Sequence, residues 1–364
     1  MLVRPLGISV ALAAALLFGC TPKAADRGTT TRPAEPQDRG VVAFYNLENL
    51  FDTDDDPENW GDDEFLPEAK KRWTPRRYQE KLGRLARVVL DLGGEASPGG
   101  PALLGVCEVE NAKVLHDLAQ QAALVGSDYD VVHFESPDGR GIDCAALYRK
   151  GLFEVEQALP IGVDIGYRDD STRRTTRDIV MVRGRLRGDP LTMFVNHWPS
   201  RRGGEAASRP RRVAAATRLK HYVDSLRADD PDVDIVLVGD FNDDPTSASI
   251  REVLRPADRR GDAGQTGLYN PMASLHRQGT GSLGYRDSWN LFDQVIVSEG
   301  LAAATGPDWS LEQAQVLRAP YLLQTTGRFR GYPLRTFVGD NYLGGYSDHL
   351  PVYAVLTRPR RSGS

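Results

Sequence analysis

The chain has 364 residues, 40% of them hydrophobic, which is enough to bury the core of one large domain. Acidic side chains outnumber basic ones by 50 to 45, giving a net charge of −5. This balance argues against a protein that coats nucleic acid through bulk positive charge, so any contact with phosphate must come from a local group of residues.

The first twenty residues have the pattern of an export signal. Arg4 provides a positive start, residues 6–18 form an apolar run, and Gly19 and Cys20 follow it. The run is too short to span a bilayer as a helix. Its end resembles a bacterial lipobox, in which Cys20 is lipidated after cleavage; a plain secretory signal cut near Gly19 is the alternative. We expect residues 1–20 to be a lipoprotein signal peptide, and the exported protein to be anchored to a membrane of the bacterial cell envelope through Cys20.

The regions flanking the main domain are predicted from their composition. Residues 21–39 lack apolar periodicity and indicate a flexible tether. Residues 40–358 are expected to form the folded domain, and residues 359–364 a disordered tail. After Cys20 only Cys107 and Cys144 remain, which excludes a disulfide-rich scaffold and a cysteine-rich zinc site. Packed free thiols and a single disulfide between these two cysteines both remain open.

From residue 40 onward, short β-branched or aromatic runs alternate with helical patterns. Strands are predicted at residues 41–45, 102–106, 129–134, 143–148, 179–186, 191–196, 234–238, 293–297 and 352–356. Helical periodicity appears at residues 78–92, 112–124 and 210–226. Nine strands exceed the usual size of one open sheet. The prediction is therefore an α/β fold with two packed sheets and helices outside them.

Polar residues recur where predicted strands end or begin. They are Asn46, Glu48, Glu108, Asn196, His197, Asp240, Asn242, Asp348 and His349. A buried polar group without a partner costs roughly 1 to 3 kcal/mol, so this repetition favours a cleft where strand ends converge. The carboxylates are hard oxygen ligands suited to Mg²⁺ or Mn²⁺, and the histidines titrate near neutral pH. Hydrolysis of a phosphodiester needs these groups.

Six sequence blocks resemble, in order, the motifs of the endonuclease/exonuclease/phosphatase superfamily. They are Tyr45-Asn46-Leu47-Glu48-Asn49-Leu50-Phe51, Cys107-Glu108-Val109, Asn196-His197-Trp198-Pro199-Ser200, Gly239-Asp240-Phe241-Asn242, Asp293-Gln294-Val295-Ile296 and Ser347-Asp348-His349. The blocks extend over nearly the whole chain after the tether. The resemblance implies a deoxyribonuclease I-like, four-layer sandwich of two mixed β-sheets flanked by helices.

The same resemblance implies a role for each site residue. Asn46 and Glu108 would hold the metal, with Asp348 near it. Asp240 and Asn242 would place the attacking water and the phosphate. His349, oriented by Asp293, would be the general base, and His197 would stabilise or protonate phosphate oxygens. The cofactor implied is Mg²⁺, with Mn²⁺ or Ca²⁺ as alternatives.

Further residues are candidates for substrate binding. Asp143 begins a predicted strand, and we expect it to partner His197 or to contact phosphate indirectly, unless its role is structural. Arg201 and Arg202 open an arginine-rich loop after Trp198 that could grip phosphates, or else be a solvated helix start. Arg177 and Arg335 are weaker candidates for the same task. His116, His133, His221 and His276 show no ligand pattern and are expected to be surface or packing residues.

The expected function is that of a metal-dependent phosphoesterase, most specifically an extracytoplasmic endonuclease acting on DNA or RNA as a monomer. Inositol phosphates and phospholipid headgroups are alternative substrates. A non-catalytic binding lipoprotein is the remaining alternative, although it would be expected to have lost catalytic groups. The sequence contains no Gly-Lys dipeptide for a P-loop and no His-Glu-x-x-His pattern for a zinc protease.

Overall fold

A computed structural model of the protein describes residues 37–166, 173–302 and 308–360. The predicted signal peptide, the lipidation site Cys20 and most of the tether lie outside these residues. Across these three stretches, no helix combines the length and the apolar character that crossing a bilayer requires.

The elements follow one another in a mainly alternating α/β order. The strands are β1 (Gln37–Leu50), β2 (Leu103–Val109), β3 (Tyr129–His133), β4 (Asp143–Arg149), β5 (Phe153–Ile161), β6 (Ile179–Leu186), β7 (Asp189–His197), β8 (Ile235–Asp240), β9 (Leu268–Tyr269), β10 (Leu283–Tyr285), β11 (Ser288–Asn290), β12 (Asp293–Ser298), β13 (Ser310–Val316), β14 (Phe337–Val338), β15 (Asn341–Tyr342) and β16 (Val352–Pro359). The helices are α1 (Pro75–Asp91), α2 (Ala112–Ala119), α3 (Glu205–Asp229), α4 (Ala263–Thr266), α5 (Met272–Arg277) and α6 (Glu299–Ala302).

Two mixed six-stranded sheets form the centre of the domain. The first has the order β13-β16-β1-β2-β4-β3, and the second has the order β5-β6-β7-β8-β12-β9. In each sheet one central pair is parallel, β1 with β2 and β7 with β8, while the other neighbours are antiparallel. The predicted sandwich of two mixed sheets is confirmed. Parallel central strands matter for function because they bring several strand ends to one edge.

Apolar side chains fill the space between the sheets. Val42 and Phe44 of β1 belong to the same buried cluster as Val195 of β7 and Val238 of β8. The sheets approach closely at Gly105, where an added Cβ would lie 2.8 Å from a methyl group of Val238. A side chain at residue 105 would therefore push the layers apart.

The helices cover the outer faces and complete four layers. Helix α1 begins after Thr74, whose hydroxyl accepts a hydrogen bond from the Arg77 backbone at 3.4 Å, and Pro75 occupies its first turn. Its apolar stripe, which includes Leu82 and Leu85, packs on the outer face of the first sheet. Helix α3 packs on the second sheet through residues such as Leu219.

Sequence reasoning missed three strands of the two large sheets, β5, β9 and β13, and all three lie at sheet edges. It also missed the short strands of the two-stranded sheets, β10, β11, β14 and β15. Strands β5 and β13 are each mostly exposed or half-buried, so neither carries the apolar alternation that identifies a strand. The domain also begins earlier than expected, because residues 37–39 of the predicted tether pair with β16. Pro359, placed in the predicted tail, lies opposite Gln37 in that same pairing. Backbone pairing does not require apolar side chains, so composition alone set these boundaries too narrowly.

The two cysteines are free. Cys107 of β2 lies directly opposite Cys144 of β4, and both thiols are buried between the sheets. Of the two alternatives left open, the structure has packed free thiols.

Candidate active site

Polar side chains from both sheets meet at one edge of the sandwich. The pairing of β1 with β2 shifts register between Asn46 and Leu50, and the pairing of β2 with β4 shifts between Cys107 and Val109. Such irregularities re-aim side chains at strand ends. Four site residues other than glycine have positive φ angles between 50° and 60°, namely Glu48, Asn49, Glu108 and Asn242. Strained backbone of this kind clusters at functional sites.

The centre of the site is a histidine held by two carboxylates. His349 Nδ1 lies 2.6 Å from Asp293 Oδ2, and His349 Nε2 lies 3.8 Å from Asp240 Oδ2. All three side chains are buried. Because Asp293 accepts the proton on Nδ1, it fixes the ring so that Nε2 points to Asp240. The structure therefore brings together Asp240, Asp293 and His349 as expected.

The protonation states of these groups differ from those of free side chains. Burial opposes the charged form of His349, but the carboxylates of Asp293 and Asp240 outweigh it and raise the pKa of His349 well above its usual value. Burial, opposed by His349 and assisted by Asp293, raises the pKa of Asp240 to about 7. Burial, with help from Arg177 and Arg140, lowers the pKa of His197 well below its usual value. The surroundings thus favour the charged form of His349 and the neutral form of His197.

Asn46 and Glu108 lie beside this centre. Asn46 Nδ2 donates to Asp240 Oδ2 at 3.3 Å, and Asn46 Oδ1 accepts from the Glu48 backbone at 2.9 Å. Glu108 Oε2 accepts from the backbone of Asn49 at 3.1 Å, while Oε1 lies 3.8 Å from His197 Nε2. His197 Nε2 is also 3.7 Å from Asp240 Oδ2. These side chains present hard oxygen atoms around one small volume, which is the donor set a divalent cation such as Mg²⁺ requires.

Asp348 is tied to an arginine at the border of the site. Arg335 Nη2 donates a short hydrogen bond to Asp348 Oδ2, and its Nε donates to Glu48 Oε1 at 3.3 Å. Burial works against the charge on Asp348, but His349 and Arg335 outweigh it and lower the pKa of this carboxyl. Arg335 is half-exposed, so it reaches the cleft as predicted, but it does so as the partner of Asp348. One oxygen of Asp348 is therefore engaged by Arg335.

Lys81 is a buried residue beside the site that sequence reasoning missed. Its Nζ donates to the backbone oxygen of Glu48 and, at 2.9 Å, to Thr336 Oγ1. The residue is only 1% exposed, and burial lowers the pKa of Lys81 to about 8. The same environment raises the pKa of Glu48 to about 7, mainly through burial. The sequence did hold a signal for this residue. Lys81 comes one position before Leu82, on the apolar face of a predicted helix, where a charged side chain is unexpected.

Asp143 has a different partner from the one expected. Its Oδ2 lies 3.0 Å from His133 Nε2, and its Oδ1 accepts a hydrogen bond from the Ser136 backbone at 2.9 Å. His133 pairs with Ala145 across β3 and β4, so Asp143 is its diagonal neighbour on the same face. The expected pairing with His197 is corrected, as is the expectation that His133 only packs. This pair holds the loop between β3 and β4.

The arginines after Trp198 are held by protein carboxylates. Arg201 Nη2 lies 3.1 Å from Asp243 Oδ1, and its Nε donates to the Asn242 backbone oxygen at 3.0 Å. Arg212 is fully buried, with its Nε 2.8 Å from Asp243 Oδ2. Arg201 therefore positions the Asn242 loop, and its expected contact with phosphate stays a prediction. Arg202, in contrast, is exposed.

Arg177 is also held in place. Its Nη1 lies 3.0 Å from Asp138 Oδ2, and its Nη2 donates to the backbone oxygen of Trp198 at 2.7 Å. Asn242 Nδ2 donates to that same oxygen at 2.9 Å. Both side chains therefore hold the turn after His197, and Arg177 is a positioning residue in place of the substrate ligand expected from sequence.

Comparison with known proteins agrees with this geometry. Residues 41–358 match the Endonuclease/Exonuclease/phosphatase family. No curated protein matches the sequence.

Several solved structures share the fold at low sequence identity. An endonuclease/exonuclease/phosphatase family protein from Bacteroides thetaiotaomicron is 16% identical, with a TM-score of 0.52 over 89% of this chain and 97% of that chain. A mannosyl-6-phosphatase from the same organism is 18% identical, with a TM-score of 0.52 over 87% and 99%. D. rerio TDP2 complexed with a single-strand DNA product is 15% identical, with a TM-score of 0.51 over 87% and 98%. The chain belongs to the endonuclease/exonuclease/phosphatase family, and its fold is that of the deoxyribonuclease I-like proteins.

Proposed function

We propose that this protein is a divalent-metal-dependent phosphodiesterase that cleaves nucleic acid outside the cytoplasm. The observation that supports this most strongly is the convergence of Asp240, the His349–Asp293 pair, Glu108 and Asn46 in one buried cleft. The family consists of phosphoesterases, and a bound divalent metal is part of its chemistry. Mg²⁺ is the ion we propose, with Mn²⁺ and Ca²⁺ as alternatives.

Glu108 and Asn46 would hold the metal. Asp348 would lie beside the metal, with part of its negative charge balanced by Arg335. When bound, the ion neutralises the non-bridging phosphate oxygens and so lowers the barrier to nucleophilic attack. The fit rests on the carboxylates that converge in this cleft, where burial, assisted by Asp293 and Glu108, raises the pKa of Asp240 to about 7. A cation relieves this repulsion, so the site is suited to one.

The proton transfers can be assigned to this chain's own residues. Asp240 accepts a hydrogen bond from Asn46 at Oδ2 and one from the Asn242 backbone N–H at Oδ1, the latter at 2.9 Å. Held in this way, Asp240 can orient a water molecule with Oδ2 and accept the proton of that water. His349 is charged, with Nδ1 engaged by Asp293, and can donate from Nε2 to a phosphate oxygen. This assignment revises the expected role of His349 from base to donor. Asp240 takes the role of base.

His197 complements this arrangement as a neutral ring. Its Nε2 lies 3.7 Å from Asp240 and 3.8 Å from Glu108, which places it at the opposite side of the cleft from Asp293. Its Nδ1 is buried and has no hydrogen-bond partner within the described ranges. We propose that this ring hydrogen-bonds a phosphate oxygen, in line with the role expected from sequence.

The test is an assay of the full-length protein, solubilised in detergent, against four substrates. These are plasmid DNA, RNA, bis-para-nitrophenyl phosphate and para-nitrophenyl phosphate, each with Mg²⁺ and then with EDTA. We expect cleavage of the diester substrates that EDTA abolishes. Hydrolysis of the monoester alone would contradict the nuclease proposal, and no hydrolysis of any substrate would favour a binding lipoprotein.

A phosphatase is the second candidate function. The observation that favours it is the shared fold of the B. thetaiotaomicron mannosyl-6-phosphatase. Sugar phosphates, including inositol phosphates, and phospholipid headgroups would then be the substrate class. Release of inorganic phosphate from mannose 6-phosphate faster than cleavage of any nucleic acid would select this candidate.

Export and lipid anchoring remain part of the proposal. The supporting observation is the sequence from Arg4 to Cys20, which has the features of a lipoprotein signal. Growth with a radiolabelled or alkyne fatty acid should label the wild-type protein but not a Cys20→Ser variant. Equal labelling of the two proteins would remove Cys20 as the anchor.

A further inference from the structure

A separate cavity of about 510 Å³ opens beside the catalytic cleft. One wall is the β10–β11 hairpin, and the other is formed by residues 324–338. Arg335 and Asp348 line it as well, so the cavity and the cleft share two residues. We call this cavity the hairpin pocket. Its volume is in the range of pockets that bind small molecules.

The hairpin pocket is coupled to the catalytic histidine through the backbone. Leu283 of the hairpin forms a β-bridge with His349, and the Leu350 N–H donates to the Ser282 backbone oxygen at 2.8 Å. Ser282 Oγ accepts from the Asp293 N–H at 3.2 Å. A ligand in the pocket therefore lies next to the elements that carry His349 and Asp293.

Aromatic rings dominate the mouth of the pocket. Tyr285 is 58% exposed and Phe329 is 42% exposed. Large apolar side chains that are exposed together often mark a binding site. Tyr332 forms part of the wall, with its ring centroid 5.9 Å from that of Phe329. Its hydroxyl is buried and finds no hydrogen-bond partner among the residues that the structure describes.

Guanidinium groups accompany these rings. The guanidinium of Arg286 lies 5.2 Å from the centre of the Tyr285 ring, and that of Arg328 lies 5.7 Å from the centre of the Phe329 ring. Rings beside arginines provide a stacking surface for a planar base together with positive charge for the phosphates on either side of it. A lipid acyl chain would instead need a mainly aliphatic lining. Only three of the side chains that line this cavity are aliphatic, namely those of Leu283, Pro333 and Val338, so the lining favours a base.

We propose that the hairpin pocket binds a nucleobase of a single-stranded nucleic acid, namely the base of the nucleotide next to the scissile phosphodiester. The inference rests on the proposed nuclease function and adds its substrate class. Tyr285 and Phe329 are its specificity-determining residues. Arg335 lies at the junction, where it faces the pocket and holds Asp348 of the catalytic cleft.

The experiment uses a short single-stranded oligonucleotide with one cleavable phosphodiester and methylphosphonates elsewhere. In matched substrates, the nucleotide on either side of that bond is replaced by an abasic tetrahydrofuran unit. For the wild-type protein we expect KM to rise about ten-fold when the base on one particular side is missing. A Tyr285→Leu, Phe329→Leu double variant should show less than a three-fold difference in KM between the two substrates.

A matched control is available on α3, away from the pocket. There Tyr222 lies under Arg218, with the guanidinium 4.9 Å from the ring centre, so Tyr222→Leu removes a similar tyrosine–arginine pair away from the pocket. This variant should keep the ten-fold preference. A second readout, free of turnover, is the quenching of 2-aminopurine placed at the preferred position, measured in EDTA. The double variant should lose most of this quenching.

The outcomes separate the inference from the proposed function. Equal KM values for base-containing and abasic substrates in the wild-type protein, or an undiminished preference in the double variant, would overturn the inference while leaving the nuclease proposal intact. If no oligonucleotide is cleaved but para-nitrophenyl phosphate is, the proposed function itself fails. If the double variant loses binding to phosphatidylglycerol vesicles and keeps wild-type oligonucleotide kinetics, the pocket belongs to a lipid.

Discussion

Strand β8 carries an aspartate at each end, and the two ends of this strand differ in function. Asp240 is its last residue and lies in the catalytic cleft, whereas Asp234 immediately precedes its first residue at the opposite edge of the sandwich. Burial raises the pKa of both carboxyl groups to about 7. The size of the shift therefore does not tell the two sites apart.

The partners of each carboxylate make the difference. Asp240 faces His349, Asn46 and the Asn242 backbone, which can donate protons or hydrogen bonds at defined positions. Asp234 is surrounded mainly by other carboxylates, of which Asp308 and Asp189 raise its pKa further, while a hydrogen bond from Ser298 opposes them. A perturbed pKa marks a catalytic group only when groups that could act on a substrate surround it.

The sharpest test of this contrast is the same substitution at both ends of β8. Asp240→Asn should lower kcat on bis-para-nitrophenyl phosphate by about 10³-fold, because it removes the proposed base from the cleft. Asp234→Asn should leave kcat within two-fold of wild type. The two variants are matched in chemistry and strand, so an equal effect would mean that the cleft around Asp240 is not the reaction site.

His349→Ala should have the next largest effect. We expect a loss of about 10²-fold or more in kcat, because the variant removes the donor that Asp293 holds in place. Circular dichroism and thermal melting should show a folded protein. His221→Ala is a suitable control, since His221 is exposed on α3. A His349 variant with wild-type kcat would remove this residue from the mechanism.

Glu108→Gln should act on metal binding more than on chemistry. The substitution removes a negative charge from the proposed ligand set, so the Mg²⁺ concentration for half-maximal activity should rise about ten-fold or more. Activity at saturating Mg²⁺ should recover at least in part. Direct titration of Mn²⁺ by calorimetry gives a readout independent of turnover, and an unchanged affinity would exclude Glu108 as a ligand.

The smallest effect concerns stability at the Asp234 end. Because the pKa of Asp234 is about 7 in the folded state and near 4 in an unfolded chain, the folded state keeps a proton between these values that the unfolded state has lost. The free energy of unfolding should therefore fall as pH rises from about 4 to 7. Asp234→Asn should remove the part of this dependence that comes from Asp234 and stabilise the protein at pH 8 by about 1 kcal/mol, a value reduced for partial solvation. Urea unfolding at pH 5 and pH 8 measures it, and an identical pH dependence in the variant would contradict the assignment.

The interior of the fold could be predicted from the sequence because its signals are local. Central strands such as β2 and β8 are mostly apolar, and each carries a candidate site residue, Glu108 or Asp240, at its C-terminal end. A polar residue at the end of a buried strand lies at the edge of the sheet, so the candidate site residues could be named without knowing the strand pairing. Edge strand β13 lacks this signal because most of its side chains meet solvent.

The partners of charged residues could not be predicted, because they depend on strand pairing and distant loops. Asp143 meets His133 only because β3 and β4 pair in the observed register. Arg201 is neutralised by Asp243, which is 42 residues away in the chain. Such contacts decide whether an arginine can bind substrate or holds a loop.

The left-handed backbone at Glu108 and Asn242 sets a trade-off for any attempt to make this protein more robust. A glutamate in that conformation costs on the order of 1 kcal/mol relative to glycine, so glycine at residue 108 should relieve backbone strain. A screen that rewards thermostability alone would thus select against a side chain that we propose holds the metal. Directed evolution of this scaffold has to measure turnover alongside folding.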